Sequence, residues 1–277
     1  MGSSLIKGCS LLIENPTLFY KKINGELKKR KVINTTQIIG AVNGVDFEFD
    51  FTLGPLIKDM FFKSYELPVT ETIRNFLKPG DTFIDVGANI GYISAFALGI
   101  VGKEGEVHSF EPVPKYFKRL CQLLEKNENL YVNQCALGDY EGEDTIDITN
   151  VSNPGWCTMV KGAMNPQKRE KRINVKVNRL DDYLIKNNLQ PSIIKIDVEG
   201  FEFKVLKGLE TYLKKTNKPP FIICEITPRD YHFLNHTMKD LCDFMEGFSY
   251  KSFGTINNRK KMNLTRIIET TDVLFKV

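Results

Sequence analysis

The stretch Thr82-Phe83-Ile84-Asp85-Val86-Gly87-Ala88-Asn89-Ile90-Gly91-Tyr92 decides how the rest of the chain is read. Thr82 to Val86 is a short apolar run of the kind that forms a buried strand, and Gly91 to Ile100 continues as a helix. Glycines at a strand-to-helix junction permit a tight turn and a close approach of ligand to backbone. A dinucleotide fingerprint sets its glycines in a G-x-G-x-x-G pattern to seat a pyrophosphate on the helix N-terminus. Here Gly87, Asn89 and Gly91 sit at offsets 0, 2 and 4, with an acid, Asp85, two residues before the first. A carboxylate there repels a pyrophosphate and suits a zwitterionic ligand that bears an ammonium group. The spacing and Asp85 disfavour a nicotinamide-dependent oxidoreductase. The lack of any G-x-x-x-x-G-K-[ST] excludes a phosphate-cradling P-loop.

Outward from that loop, strands and helices alternate. Glu106 to Phe110 reads as a second strand ending in Phe110-Glu111-Pro112, with Glu111 twenty residues beyond Gly91. An acid at that strand end is placed to accept both hydroxyls of a ribose. A helix from Pro114 carries Tyr116, Phe117, Leu120, Leu123 and Leu124 at helical spacing, and Leu130 to Cys135 is a third strand. The Ala136-Leu137-Gly138-Asp139 that follows offers apolar backbone against which an adenine can lie. An adenosine with an amino-acid tail and no pyrophosphate is S-adenosylmethionine (SAM).

Further along, Ser192 to Ile196 is an apolar strand broken only by Lys195, Phe203 to Leu213 is an amphipathic helix, and Phe221 to Ile226 is another strand. Continuous apolar strands alternating with amphipathic helices predict a parallel sheet covered on both faces. Residues 32–52 read as a hairpin turning at Asn43-Gly44, and a helix is expected from about Thr70 to Leu77. Strands at 143–149 and 173–178 flank a long loop at 150–170, and the tail from Phe248 suits two closing antiparallel strands around Arg259, Lys260 and Lys261.

Five ordered segments resemble the FkbM-type branch of the class I SAM-dependent methyltransferases: Pro79-Gly80-Asp81, Asp85 to Gly91, Phe110-Glu111-Pro112, Ala136 to Asp139, and Leu180 to Leu184. The most distinctive block is Ile194-Lys195-Ile196-Asp197-Val198-Glu199-Gly200-Phe201-Glu202, followed by Val205-Leu206-Lys207-Gly208. The resemblance implies an α/β, Rossmann-like fold with a mostly parallel seven-stranded sheet and helices on both faces. To this the hairpin adds an N-terminal extension, so residues 1–64 are read as extension and 65–277 as the methyltransferase domain. The resemblance further implies that Asp85, Gly87, Asn89, Gly91, Tyr92, Glu111, Pro112, Ala136 and Leu137 hold SAM.

Methyl transfer from a sulfonium is an in-line displacement that needs alignment, exclusion of water and a proton acceptor for a hydroxyl nucleophile. Asp197 is assigned to the rim where the methionine tail meets the acceptor, and both to cofactor binding and to catalysis. Glu199 is assigned to acceptor binding or proton removal, Glu225 to acceptor binding, and Trp156 to stacking on a sugar or planar acceptor. His232 is a candidate base, since imidazole titrates near neutral pH. Asp197, Glu199 and Glu225 also present the oxygen ligands a divalent cation takes. The same trio suits hydrogen bonding to SAM and sugar hydroxyls, and a metal is not expected. Lys195 is read as the ion-pair partner of a carboxylate such as Asp181 or Asp197.

The expected activity is O-methylation of a glycan or small metabolite. Methylation of a peptide or RNA, or SAM binding without catalysis, are the alternatives. The chain has 277 residues with 42% hydrophobic and 26% charged side chains, an ordinary globular balance. Its net charge of +4 is local: residues 1–31 hold +5, including the run Lys28 to Lys31, and the remaining 246 residues hold −1. A near-neutral body argues against a DNA or RNA partner. No apolar run approaches a bilayer span or a secretory core, so the expected address is cytoplasmic. Cys9, Cys121, Cys135, Cys157, Cys224 and Cys242 are scattered without a CxxC, which points to reduced thiols. The Asn-x-Ser/Thr matches at Asn34, Asn150, Asn235 and Asn263 are read as accidental.

Overall fold

The computed structural model describes residues 37–149 and 156–277. The run Lys28 to Lys31, the start of the expected hairpin at Val32-Ile33, and Asn153-Pro154-Gly155 lie outside the described residues. The hairpin comprises β1 (Gln37–Val42) and β2 (Val45–Asp50), antiparallel and joined at Asn43-Gly44, both with positive φ as a tight hairpin turn requires. Two helices follow, α1 (Leu56–Phe61) and α2 (Leu67–Phe76). The second begins before Pro68 rather than near Thr70, because proline is tolerated in a first helical turn, where its missing N–H is not needed.

The strand–helix alternation then runs β3 (Thr82–Val86), α3 (Tyr92–Val101), β4 (Glu106–Phe110), α4 (Pro114–Leu124) and β5 (Leu130–Asn133). Next come four strands outside that rhythm, β6 (Ala136–Leu137), β7 (Gly142–Thr149), β8 (Cys157–Thr158) and β9 (Arg169–Asn178). The chain continues through α5 (Leu180–Lys186), β10 (Ile193–Ile196), α6 (Glu202–Lys207), α7 (Glu210–Lys215), β11 (Phe221–Ile226), α8 (Met238–Gly247), β12 (Lys251–Gly254) and β13 (Thr271–Lys276).

Seven of these strands form one sheet in the order β12-β13-β11-β10-β3-β4-β5. β11, β10, β3, β4 and β5 pair in parallel, while β13 and β12 close the edge antiparallel, as the tail's sequence implied. Strand order reverses between β3 and β10, and in an open α/β sheet the crevice beyond the strand ends at that point takes the ligand. The expected strands at 143–149 and 173–178 are present, but as β7 and β9 of a separate four-stranded sheet, ordered β6-β9-β7-β8. Its shortest members, two residues each, carry no periodicity from which a pairing can be read.

Each central strand sends alternate residues to opposite faces. Phe83, Val107, Ile193 and Ile223 pack with α3, the hairpin and the second sheet. Ile84, Val86, Ile194, Ile196, Ile222 and Cys224 pack with α5, α6, α7 and α8. On the first face one register level is polar: Lys195 pairs with Asp85, and Asp85 with Ser109, across three adjacent strands. The hairpin shares this core. Phe47 and Phe49 are buried, and Phe47 meets the edge of Tyr92 on α3 with ring centroids 6.0 Å apart. Among the described residues no helix is long and apolar enough to cross a membrane.

Because Phe47 supports Tyr92 from the extension, Phe47→Ala is expected to lower the unfolding free energy by ~3–5 kcal/mol, the cost of emptying a buried aromatic site. Chemical denaturation followed by tryptophan and far-ultraviolet signals checks this; a loss below about 1 kcal/mol would mean that the hairpin is not part of the core.

Candidate active site

A cavity of about 260 Å³ opens at the switch point between β3 and β10. Its floor is the Val86-Gly87-Ala88-Asn89-Ile90 turn, held by the amides of Gly87 and Ala88 donating to Phe110 O at 3.0 Å each. Gly87 has φ +79°, and a Cβ there would lie 1.8 Å from Asp197 O, so only glycine lets β3 and the strand end of β10 approach this closely. Asn89 also adopts a left-handed φ of 51°.

Glu111 caps β4 and is 5% exposed. One carboxylate oxygen accepts from the Asn89 amide at 2.9 Å and the other from the Val113 amide at 2.7 Å, so it pins the glycine turn to the next strand. Burial raises its pKa against those two hydrogen bonds, to about 7. Phe110, Pro112, Cys135, Ala136 and Leu137 continue this wall, an apolar slot beside the Glu111 carboxylate.

The opposite end of the cavity is acidic. Lys195, 5% exposed, donates to Asp197 at 2.9 Å and stands 3.9 Å from Asp85 Oδ1. Burial opposes its charge, but Asp197, Glu66 and Asp85 together outweigh that and hold its pKa well above the ordinary value. Around this cation lie the cavity-lining carboxylates Glu66, Asp197, Glu199 and Glu225. Burial and the neighbouring Asp197 push Glu199 to about 8, with Glu202 adding to it. Burial, Asp197 and Glu199 push Glu225 to about 11. Asp197, Glu199 and Glu225 each bring one oxygen within 4.8 Å of the other two, a spacing that could also hold a hard cation. The carbonyl of Glu199, whose φ is 51°, accepts from Thr158 Oγ1 at 2.6 Å, which ties this corner to β8.

Of the residues picked out from the sequence, Gly87, Asn89, Tyr92, Glu111, Pro112, Ala136, Leu137, Asp197, Glu199 and Glu225 meet on the cavity wall. Asp85 does not. It is fully buried beneath the turn, on the strand face toward α3, where it accepts from Ser94 at 2.6 Å and faces Lys195. Gly91 also sits off the wall, its α carbon against Leu120 of α4. Trp156 and His232 are likewise absent from the lining. Trp156 has Lys168 Nζ 6.0 Å from its ring centroid, and His232 is exposed, its ring packed on Phe233.

Sequence reading missed Tyr65 and Glu66, which sit in no motif and reach the cavity from the turn between α1 and α2. It also missed Leu56, Met60, Tyr116, Cys157 and Met159, which complete the wall. Lys195 carried a readable signal, a lysine inside an apolar strand.

A model of the methyltransferase FkbM domain matches residues 85–252 of the chain. Among curated proteins, the hexuronic acid methyltransferase AglP of Haloferax volcanii is 26% identical over 148 residues, covering 53% of this chain and 56% of its own. The 31-O-demethyl-FK506 methyltransferase FkbM of Streptomyces tacrolimicus is 31% identical over 160 residues, covering 48% of this chain and 61% of its own. Both matches thus span less than two thirds of the relative. Among solved structures, the methyltransferase FkbM of Methylobacillus flagellatus is 16% identical with a TM-score of 0.43, covering 79% of this chain and 54% of that one. Aeropyrum pernix fibrillarin, solved with SAM bound, is 10% identical with a TM-score of 0.44, covering 90% and 85%. Both scores are too low to bear on function.

The raised carboxylates couple stability to pH. A carboxyl whose pKa rises on folding binds more protons folded than unfolded, so its contribution is present below the unfolded value and fades as pH climbs through the folded one. With Glu111 and Asp272 at about 7 and Glu199 and Glu202 at about 8, against ordinary values near 4, the ligand-free protein is expected to lose thermal stability from pH 5 to pH 9. Calorimetric melting across that range checks it; a midpoint that rises toward pH 9 would contradict the burial of these groups.

Proposed function

The chain belongs to the FkbM methyltransferase domain family, and on that premise we propose that it moves the methyl group of SAM onto a hydroxyl oxygen of a glycan or small metabolite. The observation that carries the cofactor reading is the two-ended cavity: an apolar slot beside a strand-end carboxylate at one end, and an excess of carboxylates over one paired lysine at the other. Buried carboxylate oxygens without partners are costly unless a cation or donor meets them. Glu66 Oε2 and Glu225 Oε2 are such atoms, so the residues present fit a cationic nucleoside. The names of two relatives, acting on a hexuronic acid and on 31-O-demethyl-FK506, support a hydroxyl-bearing acceptor.

On this reading Glu111 accepts the ribose hydroxyls while keeping its backbone hydrogen bonds, and Phe110, Ala136 and Leu137 enclose the adenine. SAM supplies an already activated methyl group, so the protein's own work is alignment, dryness and proton transfer. Alignment alone is worth ~7–11 kcal/mol of barrier. The apolar wall of Met60, Ile146 and Met159 keeps water out. Asp197, fixed by Lys195, orients the reacting end, and Glu199 binds the acceptor hydroxyl and receives its proton. His232, on the exposed side of its turn, is given no part in the step. A labelled-methyl transfer screen over glycans, hydroxylated metabolites, peptides and RNA tests the acceptor class, and transfer confined to peptide or RNA nitrogen would overturn it.

Two variants test the assignments. Glu111→Gln is expected to weaken SAM binding about tenfold or more, since hydrogen bonds to a charged group are worth ~1.5–3 kcal/mol each; calorimetry showing unchanged affinity would refute the ribose role. Asp197→Asn is expected to lower kcat by about 10²-fold or more with a near-native melting temperature; full turnover would remove Asp197 from the reacting end.

A further inference from the structure

Glu66 lies outside residues 85–252, the part matched by the family model, yet it reaches the acidic end of the cavity. Its backbone is held at a left-handed φ of 41° immediately before α2. Its carboxylate oxygen Oε2 is buried and has no hydrogen-bond partner. A glutamate costs stability in this conformation, and such strain persists where the surrounding structure imposes it.

The cations near it are already committed. Lys195 donates to Asp197 at 2.9 Å and faces Asp85 at 3.9 Å. Among the described residues lining the cavity it is the single cation, against the carboxylates of Glu66, Glu111, Asp197, Glu199 and Glu225. Glu111 closes the apolar slot, and both its oxygens hold backbone amides. The carboxylates with open, buried oxygens are therefore Glu66 and Glu225, both at the end away from the slot.

Resting on the SAM reading of this cavity, we infer that Glu66 is a sulfonium-recognition residue. When the cationic ligand displaces its proton, the Glu66 carboxylate becomes the negative charge at the reacting end and makes the site favour SAM over its demethylated product. SAM and S-adenosylhomocysteine carry the same adenosine, ammonium and carboxylate and differ by the methyl group and the positive charge on sulfur. A carboxylate aimed at the ammonium serves both ligands equally, whereas one aimed at the sulfur serves only the charged one. In a site of low dielectric the attraction falls off slowly enough for a carboxylate several ångströms from the sulfur to discriminate. The consequence for turnover is that the spent nucleoside is held less tightly than the fresh one.

Isothermal titration of the full chain with SAM, S-adenosylhomocysteine and sinefungin, which has an amine-bearing carbon in place of the methylsulfonium, separates these cases. The wild type is expected to bind SAM about tenfold more tightly than S-adenosylhomocysteine, with sinefungin on the SAM side, a difference of one decade in Kd. Glu66→Gln should bring the ratio to within about twofold, chiefly by weakening SAM, and Glu66→Asp should keep most of it. A merely structural loss would weaken all three ligands together and leave the ratio intact, which overturns the inference. So does a wild type that binds SAM and S-adenosylhomocysteine equally. A wild type that binds none of the three overturns the cofactor reading itself, and this inference with it.

Discussion

Lys195 is the charge on which the candidate site is built. It stands in the middle of a strand whose other residues are apolar, level with Asp85 on one side and one step from Asp197 at the strand end. Removing such a cation would leave buried carboxylates uncompensated, which is far more costly than never having placed the pair. Ser94 extends the row by donating to Asp85 and meeting Ser109 at 2.8 Å, so α3 is bonded to the sheet at the same level. The glycine turn follows Asp85 in the chain, and its position is fixed by the Phe110 carbonyl, which takes the amides of Gly87 and Ala88, and by Glu111, which takes that of Asn89.

One lysine does not neutralise the carboxylates around it. Glu66, Asp85, Glu111, Glu199, Glu225 and Asp272 all have raised pKa values, with burial the leading cause in each. Without a ligand, the folded chain meets this by keeping protons on several of them. A cationic ligand would replace those protons, so ligand affinity and proton release are two sides of one equilibrium.

The fold was legible because its main signals are local. Thr82 to Val86 and Ser192 to Ile196 carry apolar residues toward both faces, as strands covered on two sides do, and Asn43-Gly44 dictates its turn by backbone conformation alone. The strand ends were legible too, because the crevice in such a sheet collects whatever acids stand there, and Glu111, Asp197 and Glu225 do. Asp85 shares its face and register level with Lys195, whose longer side chain reaches the cavity wall while the shorter Asp85 stays buried beneath the turn, a difference of reach that strand alternation does not show. Trp156 and His232 were chosen for residue type in loops, and residue type does not determine where a loop lies. Glu66 had no pattern at all, since its place depends on how the turn before α2 meets a cavity formed by residues far along the chain.

The candidate site has two parts with different origins. The slot end, from Gly87 through Glu111 to Leu137, is carried on the parallel strands and lies within the family-matched residues. The acidic end is completed from outside them by Leu56, Met60, Tyr65 and Glu66, which rest on an aromatic chain: Phe49 against Phe61 at 5.2 Å and Tyr65 against Tyr92 at 5.5 Å. Phe47 on the hairpin braces the same Tyr92. The hairpin therefore acts on the cavity at one remove, by fixing the ring against which Tyr65 packs and so the position of Glu66 next to it. A side chain so supported can be exchanged without disturbing the parallel strands, whereas a change at Gly87 or Lys195 would disturb the sheet itself. The end completed from outside the family-matched residues is thus held by side-chain packing, and the slot end by backbone hydrogen bonds of the sheet.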